Sequence, residues 1–89
     1  MSKASIEQIL TQSLSPTLIQ VVDESHAHAG HNEDAKKGST HFRVIIVSNV
    51  FEGKKLIERH RMIYELLKDQ HVSYHALAIT AKTQAEYSA

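Results

Sequence analysis

Apolar positions recur along this chain with two different periods, and the switches between them mark its elements. Ile6, Ile9, Leu10 and Leu14 share one face of a 3.6-residue repeat and predict a first helix. Ser5 and Gln8 have capping-box spacing at its start, and Ser2 offers a cap one turn earlier. Ser15-Pro16 ends the helix, because the residue before proline is pushed out of the α region. Residues 17–23 carry Leu18, Ile19, Val21 and Val22 and predict a strand. In residues 41–47, Phe42, Val44 and Ile46 alternate with Arg43, Ile45 and Val47, which predicts a second strand with one face packed.

A turn through Ser48, Asn49 and Gly53 leads into a long helical stripe. Leu56, Ile57, His60, Ile63, Tyr64 and Leu67 form its buried side, with Glu58, Arg61, Glu65 and Lys68 facing outward. Residues 73–82 read as a third strand with His75, Leu77, Ile79 and Ala81 on one parity. Tyr74, Ala76, Ala78 and Thr80 form the other, and their small side chains imply close approach by another element or a partner. Thr83, with Glu86 three residues on, can cap a short terminal helix.

The predicted order is α-β-β-α-β with a short C-terminal helix, an α/β (α+β) arrangement. Two strands joined by a loop pair antiparallel, and a strand reached through a helix lies parallel to one of them. A three-stranded mixed sheet with helices on one face follows, and the other face is left as a docking surface. Residues 24–39 break every period and form a polar, histidine-rich loop of roughly sixteen residues, a length often reserved for function.

Length and composition narrow the classes. Eighty-nine residues make one domain, 1–89, with a thin core, since a chain of this size buries only ~60% of its unfolded surface. The chain has no cysteine, which excludes a disulfide scaffold and any thiolate chemistry of its own. No apolar run is long enough to span a membrane, and the N-terminus lacks a secretory h-region. A cytoplasmic protein without membrane contact is expected, although a trimmed organellar form would look the same. The formal net charge is zero, whereas dedicated nucleic-acid binders carry a basic excess. Seven histidines in so short a chain point instead to metal or proton chemistry.

The loop holds His26, His28 and His31 among alanines and glycine, and neutral imidazole suits zinc, copper, nickel and iron. Read by spacing alone, it is equally a solvated polar loop. His60 lies in the apolar stripe and reads as a half-buried structural residue. His41 reads as a strand-entrance residue, and His71 as the end of the helix. Lys54, Lys55, Arg59 and Arg61 around Gly53 could hold phosphates, or could be a solvated face balanced by Glu52 and Glu58. No nucleophile triad, phosphate loop or dinucleotide fingerprint is present, so no enzyme is expected.

Several segments together resemble the BolA family. They are Phe51-Glu52-Gly53-Lys54, Arg59-His60-Arg61-Met62-Ile63-Tyr64 and His75-Ala76-Leu77-Ala78. Val22-Asp23-Glu24-Ser25, Thr40-His41-Phe42-Arg43-Val44 and Val47-Ser48 extend the likeness over residues 6–86, in order and register. The resemblance implies a domain similar to class II KH folds. Those folds grip nucleic acid with a Gly-x-x-Gly loop, and here Gly53-Lys54-Lys55-Leu56 lacks the second glycine, which argues against that grip.

The resemblance also implies a monothiol glutaredoxin partner and a place in iron–sulfur trafficking or iron regulation. This chain would be a monomer alone and a heterodimer with that partner. Carried over residue by residue, the ligand positions are His75 and one loop histidine. Counting back from Thr40-His41-Phe42 gives His31, the preferred choice, and counting forward from Asp23-Glu24-Ser25 gives His28. A two-iron two-sulfur cluster needs four ligands, and histidines can replace cysteines on one iron. The glutaredoxin cysteine and glutathione would then supply the thiolates. Imidazole ligation of this kind weakens on acidification. Some family members resemble DNA-binding regulators, so the basic segment keeps a rival reading open, as does a stand-alone zinc or copper site in the loop.

Overall fold

The structure is a computed structural model that describes residues 2–24, 41–70 and 76–89. Helix α1 is Lys3–Leu14, and Ser2 caps it rather than Ser5. The Ser2 hydroxyl accepts the Ser5 N–H at 3.1 Å, and the Ser5 hydroxyl accepts the Ser2 N–H at 3.0 Å. A reciprocal pair of this kind satisfies donors that the first helical turn would otherwise leave open. The predicted stop holds: Ser15 turns left-handed at φ 44° and closes the helix with its N–H on the Thr11 carbonyl.

Strands β1 (Leu18–Asp23), β2 (Phe42–Val47) and β3 (Leu77–Lys82) form one sheet in the order β1-β2-β3. β1 runs antiparallel to β2, with Val21 opposite Val44, and β2 runs parallel to β3, with Val44 opposite Ile79. Strand alternation then sorts the side chains. Val21, Phe42, Val44, Ile46, Leu77 and Ala81 lie on the face that packs against Ile6, Leu10 and Leu14 of α1. On the other parity, Val22, Arg43 and Ala78 stand in a row, and Arg43 and Ala78 are exposed. This is the mixed sheet that the sequence predicts.

Helix α2 is Leu56–Leu66, and the short α3 is Gln84–Ser88, capped by Thr83 as predicted. Both α1 and β3 pack against α2. Its inward side corrects the expected stripe. Ile63 and Leu67 are buried, His60 and Tyr64 are half-buried, but Leu56 and Ile57 are 62% and 57% exposed. Arg59 takes the inward place four residues before Ile63 and is only 5% exposed.

One polar residue ties three element ends together. Buried Ser48 donates its hydroxyl to the Leu14 carbonyl at 2.6 Å and its N–H to the Lys82 carbonyl at 2.9 Å. The ends of α1, β2 and β3 are thereby fixed to one another. No helix among the described residues is long and apolar enough to cross a membrane.

Candidate functional site

The sequence singles out two places, the histidine positions and the basic segment. His28, His31 and His75 fall outside the described residues. The residues that flank them do not, and they meet. Asp23 pairs with Phe42, and Phe42 pairs with Leu77, so one end of the sheet gathers the close of β1 and the openings of β2 and β3. At ordinary strand spacing these three backbones lie within about 10 Å of one another. The Glu24 N–H donates to the His41 carbonyl at 2.7 Å, and the Arg43 guanidinium meets the Glu24 carboxylate at 3.1 Å. Glu24 and His41, the described residues on either side of 25–40, are therefore held side by side. Leu77, two residues beyond His75, is buried, and its carbonyl accepts the Tyr64 hydroxyl at 3.2 Å. That bond pins the start of β3 to α2. Half-buried His41 stands at the same sheet end. Among the described residues, no three His, Cys, Asp or Glu side chains converge as a metal-holding group.

The basic segment divides when its side chains are placed. Lys55 and Arg61 are exposed and Lys54 is half-buried. A positive φ of 73° at Gly53 makes the turn, a conformation that glycine adopts without steric cost. The Lys55 N–H donates to the Glu58 carboxylate at 3.0 Å, so α2 is capped from within its own first turn.

Arg59 leaves the surface set altogether, which corrects its grouping with the phosphate-facing cations. Its Nε donates to the Lys54 carbonyl at 2.9 Å and its Nη1 to the Ala81 carbonyl at 3.1 Å. The same guanidinium holds the Glu86 carboxylate through Nη1 at 2.7 Å and Nη2 at 3.2 Å. It lies 5.9 Å from the centre of the Phe51 ring, within cation–π range. A buried arginine persists only where its donors are used, and four contacts use them. The signal was present in the sequence: Arg59, Ile63 and Leu67 keep a spacing of four, an inward phase that the charge of Arg59 disguises.

Glu86 responds to this contact. The hydrogen bond from Arg59, helped by the Thr83 N–H at 2.8 Å, holds its carboxyl at about 2, well below 4.5. A depressed carboxylate pKa contributes stability that is fully present above the unfolded value and is lost as pH falls through the folded one. Glu86→Gln should therefore unfold more easily than the parent at neutral pH, with the gap closing between about pH 4.5 and 2. Unfolding midpoints against pH measure it, at low salt because the carboxylate is half exposed. A gap that stays constant down to about pH 2.5 would show that the charge is not held.

Comparison with known proteins gives one family. Residues 10–86 match the family described as BolA-like protein. The chain is 46% identical over 86 residues to SufE-like protein 1, chloroplastic/mitochondrial, of Arabidopsis thaliana, covering 91% of this chain and 23% of that protein. It is 37% identical over 89 residues to the DNA-binding transcriptional regulator BolA of Escherichia coli strain K12, covering 98% and 80%. Among solved structures, the BolA domain of SufE1 from Arabidopsis thaliana is similar with a TM-score of 0.80 and 46% identity, over 94% of this chain and 93% of that one. The chain spans less than two-thirds of several relatives, among them 23% of the plant protein and 60% of mouse BolA-like protein 1.

Proposed function

The chain belongs to the BolA-like family, and on that premise we propose that it partners a monothiol glutaredoxin and lends histidine ligands to a shared two-iron two-sulfur cluster. Its role would lie in cluster assembly and trafficking or in iron sensing. The observation that carries this reading is the sheet end. The residues on either side of the histidine-rich segment and the start of the strand after His75 come together there.

The chain's own chemistry fits a shared cluster and not a self-contained one. With no cysteine it has no thiolate of its own, so the thiolate ligands must come from outside. His75 and either His31 or His28 are the residues that would hold the group. When bound, the cluster supplies one-electron redox capacity and can itself be the cargo. The protein's part is to fix the anchor points: Tyr64 on the Leu77 carbonyl, and the Glu24 N–H on the His41 carbonyl.

Mixing the protein with a monothiol glutaredoxin, ferrous iron, sulfide and glutathione should give a heterodimer with a visible absorption spectrum of its own. His75→Ala should change that spectrum. An unchanged spectrum removes His75 from the ligand set, and failure to form any complex overturns the reading.

A second reading has a specific support. The E. coli relative is named as a DNA-binding regulator, and three of the four predicted cations remain at or near the surface. With Arg59 turned inward, Lys54, Lys55 and Arg61 can neutralise at most three phosphates. Affinity for duplex DNA should then fall with salt at a log–log slope no steeper than about −2.7 from this cluster. A flat response removes direct DNA binding, and a steeper one requires cations elsewhere.

A further inference from the structure

Arg59 does more than fill the core, because its four contacts join three separate parts of the chain. One edge of the guanidinium holds the Lys54 carbonyl in the 53–55 turn. The other holds the end of β3 at Ala81 and the carboxylate of Glu86 on α3. The group is planar and its donors sit in a fixed fork, so orienting one edge orients the other. Glu86 cannot swing freely either, since its Oε1 also accepts the Thr83 N–H at 2.8 Å.

The turn has little else to hold it. Among the described residues nothing lies within 4 Å of the position that a Cβ on Gly53 would occupy, so none of them locks the turn there by packing. Its other backbone ties are local, the Lys54 N–H to the Phe51 carbonyl at 3.0 Å, the Lys55 N–H to Glu58 at 3.0 Å and the Arg59 N–H to the Lys55 carbonyl at 3.1 Å. On this turn and the residues after it stand Lys54, Lys55 and the exposed Leu56 and Ile57. These are the side chains that any ligand gripping this end of α2 must meet.

We propose that Glu86 is a positioning residue for the 53–55 turn, acting through Arg59, so that docking of the C-terminal helix and the geometry of the turn are coupled. Coupling of this kind is reciprocal: whatever releases α3 loosens the turn, and whatever grips the turn steadies α3. The coupling lies within this chain, so it stands apart from the cluster reading above.

Amide resonances of the full chain, recorded residue by residue, test it. Glu86→Ala should shift Gly53, Lys54 and Lys55, although they are more than thirty positions away in sequence, and should speed hydrogen exchange at Lys54 several-fold. Glu86→Gln keeps a neutral acceptor for Arg59 and should restore most of the turn's signals. Gln84→Ala is the control, because it removes the contact of α3 with Thr17, 2.6 Å in the parent, without touching Arg59. It should leave the turn unmoved. Should Glu86→Ala not fold, Glu86→Ser, which also withdraws the carboxylate from Arg59, reads the same difference against the Gln84 control, a shift at the turn in one and none in the other. The proposal is overturned if the turn is silent to loss of the Glu86 side-chain acceptor in the Ala or Ser variant, or if Gln84→Ala disturbs it equally.

Discussion

Phe51→Ala is expected to remove about 3–5 kcal/mol of folding stability, the cost typical of truncating a buried aromatic side chain. Phe51 sits in the short 3-10 turn Asn49–Phe51, between β2 and α2, and is fully buried within the central cluster. Deleting its ring opens a void that neighbours on β2 and α2 can fill only in part. It also removes the aromatic face beside the Arg59 guanidinium. A domain of this length holds roughly 4–13 kcal/mol in total, so the variant stands close to its unfolding limit at room temperature. Denaturant unfolding reads the loss directly, and the thermal midpoint should fall by more than about 12 °C. A loss below about 1 kcal/mol would mean that the turn is not part of the core.

Arg59→Met should be nearly as costly, at about 2–4 kcal/mol, although it trades a charge for an apolar side chain of comparable reach. The Lys54 and Ala81 carbonyls both lose their guanidinium donor; an unsatisfied buried group costs about 1–3 kcal/mol, in full at the buried Ala81 bond and in part at the half-buried Lys54 bond. Glu86 suffers less, because its half-exposed carboxylate can turn to water. An opposing effect works in the variant's favour. Desolvating a guanidinium is expensive, and replacing a buried charge can be neutral when both partners go together. Here only one partner goes, so the loss of bonds should win. Equilibrium unfolding of Arg59→Met against the parent decides between them: a change below about 1 kcal/mol would show that the desolvation cost had cancelled the four contacts.

Much of the fold was legible because it is written in short-range pattern. Val44 and Ile46 point to the core since strand side chains alternate, and no distant residue is needed to say so. Ser15-Pro16 stops α1 for a reason contained in two residues. Thr83 and Glu86 cap α3 across three. Leu56 and Ile57 escaped this logic. Leu56 stands seven residues before Ile63 and shares its phase, yet the first turn of α2 is left uncovered and Arg59 takes the inward place behind it. Periodicity tells which way a helical residue points but not whether anything lies there to cover it.

The candidate site divided in the same way. The histidine positions and the basic segment stand in the sequence, along with the family likeness that gives them meaning. That Arg59 leaves those cations for the interior was only half legible: its spacing of four from Ile63 and Leu67 gives the inward phase, but the acidic partner that lets a charge stay there lies twenty-seven residues further on.

By itself, then, the chain's sequence determined its helices, its strands and the face each strand turns to the core, all of which follow from steric and hydrophobic preferences acting over a few residues. Only the tertiary structure decided that Arg59 is interior, that Leu56 and Ile57 are not, and that Asp23, Phe42 and Leu77 meet at one end of the sheet. Those outcomes depend on pairing between segments far apart along the chain, where charge, burial and register are set by the neighbour that arrives and not by the residue that waits for it.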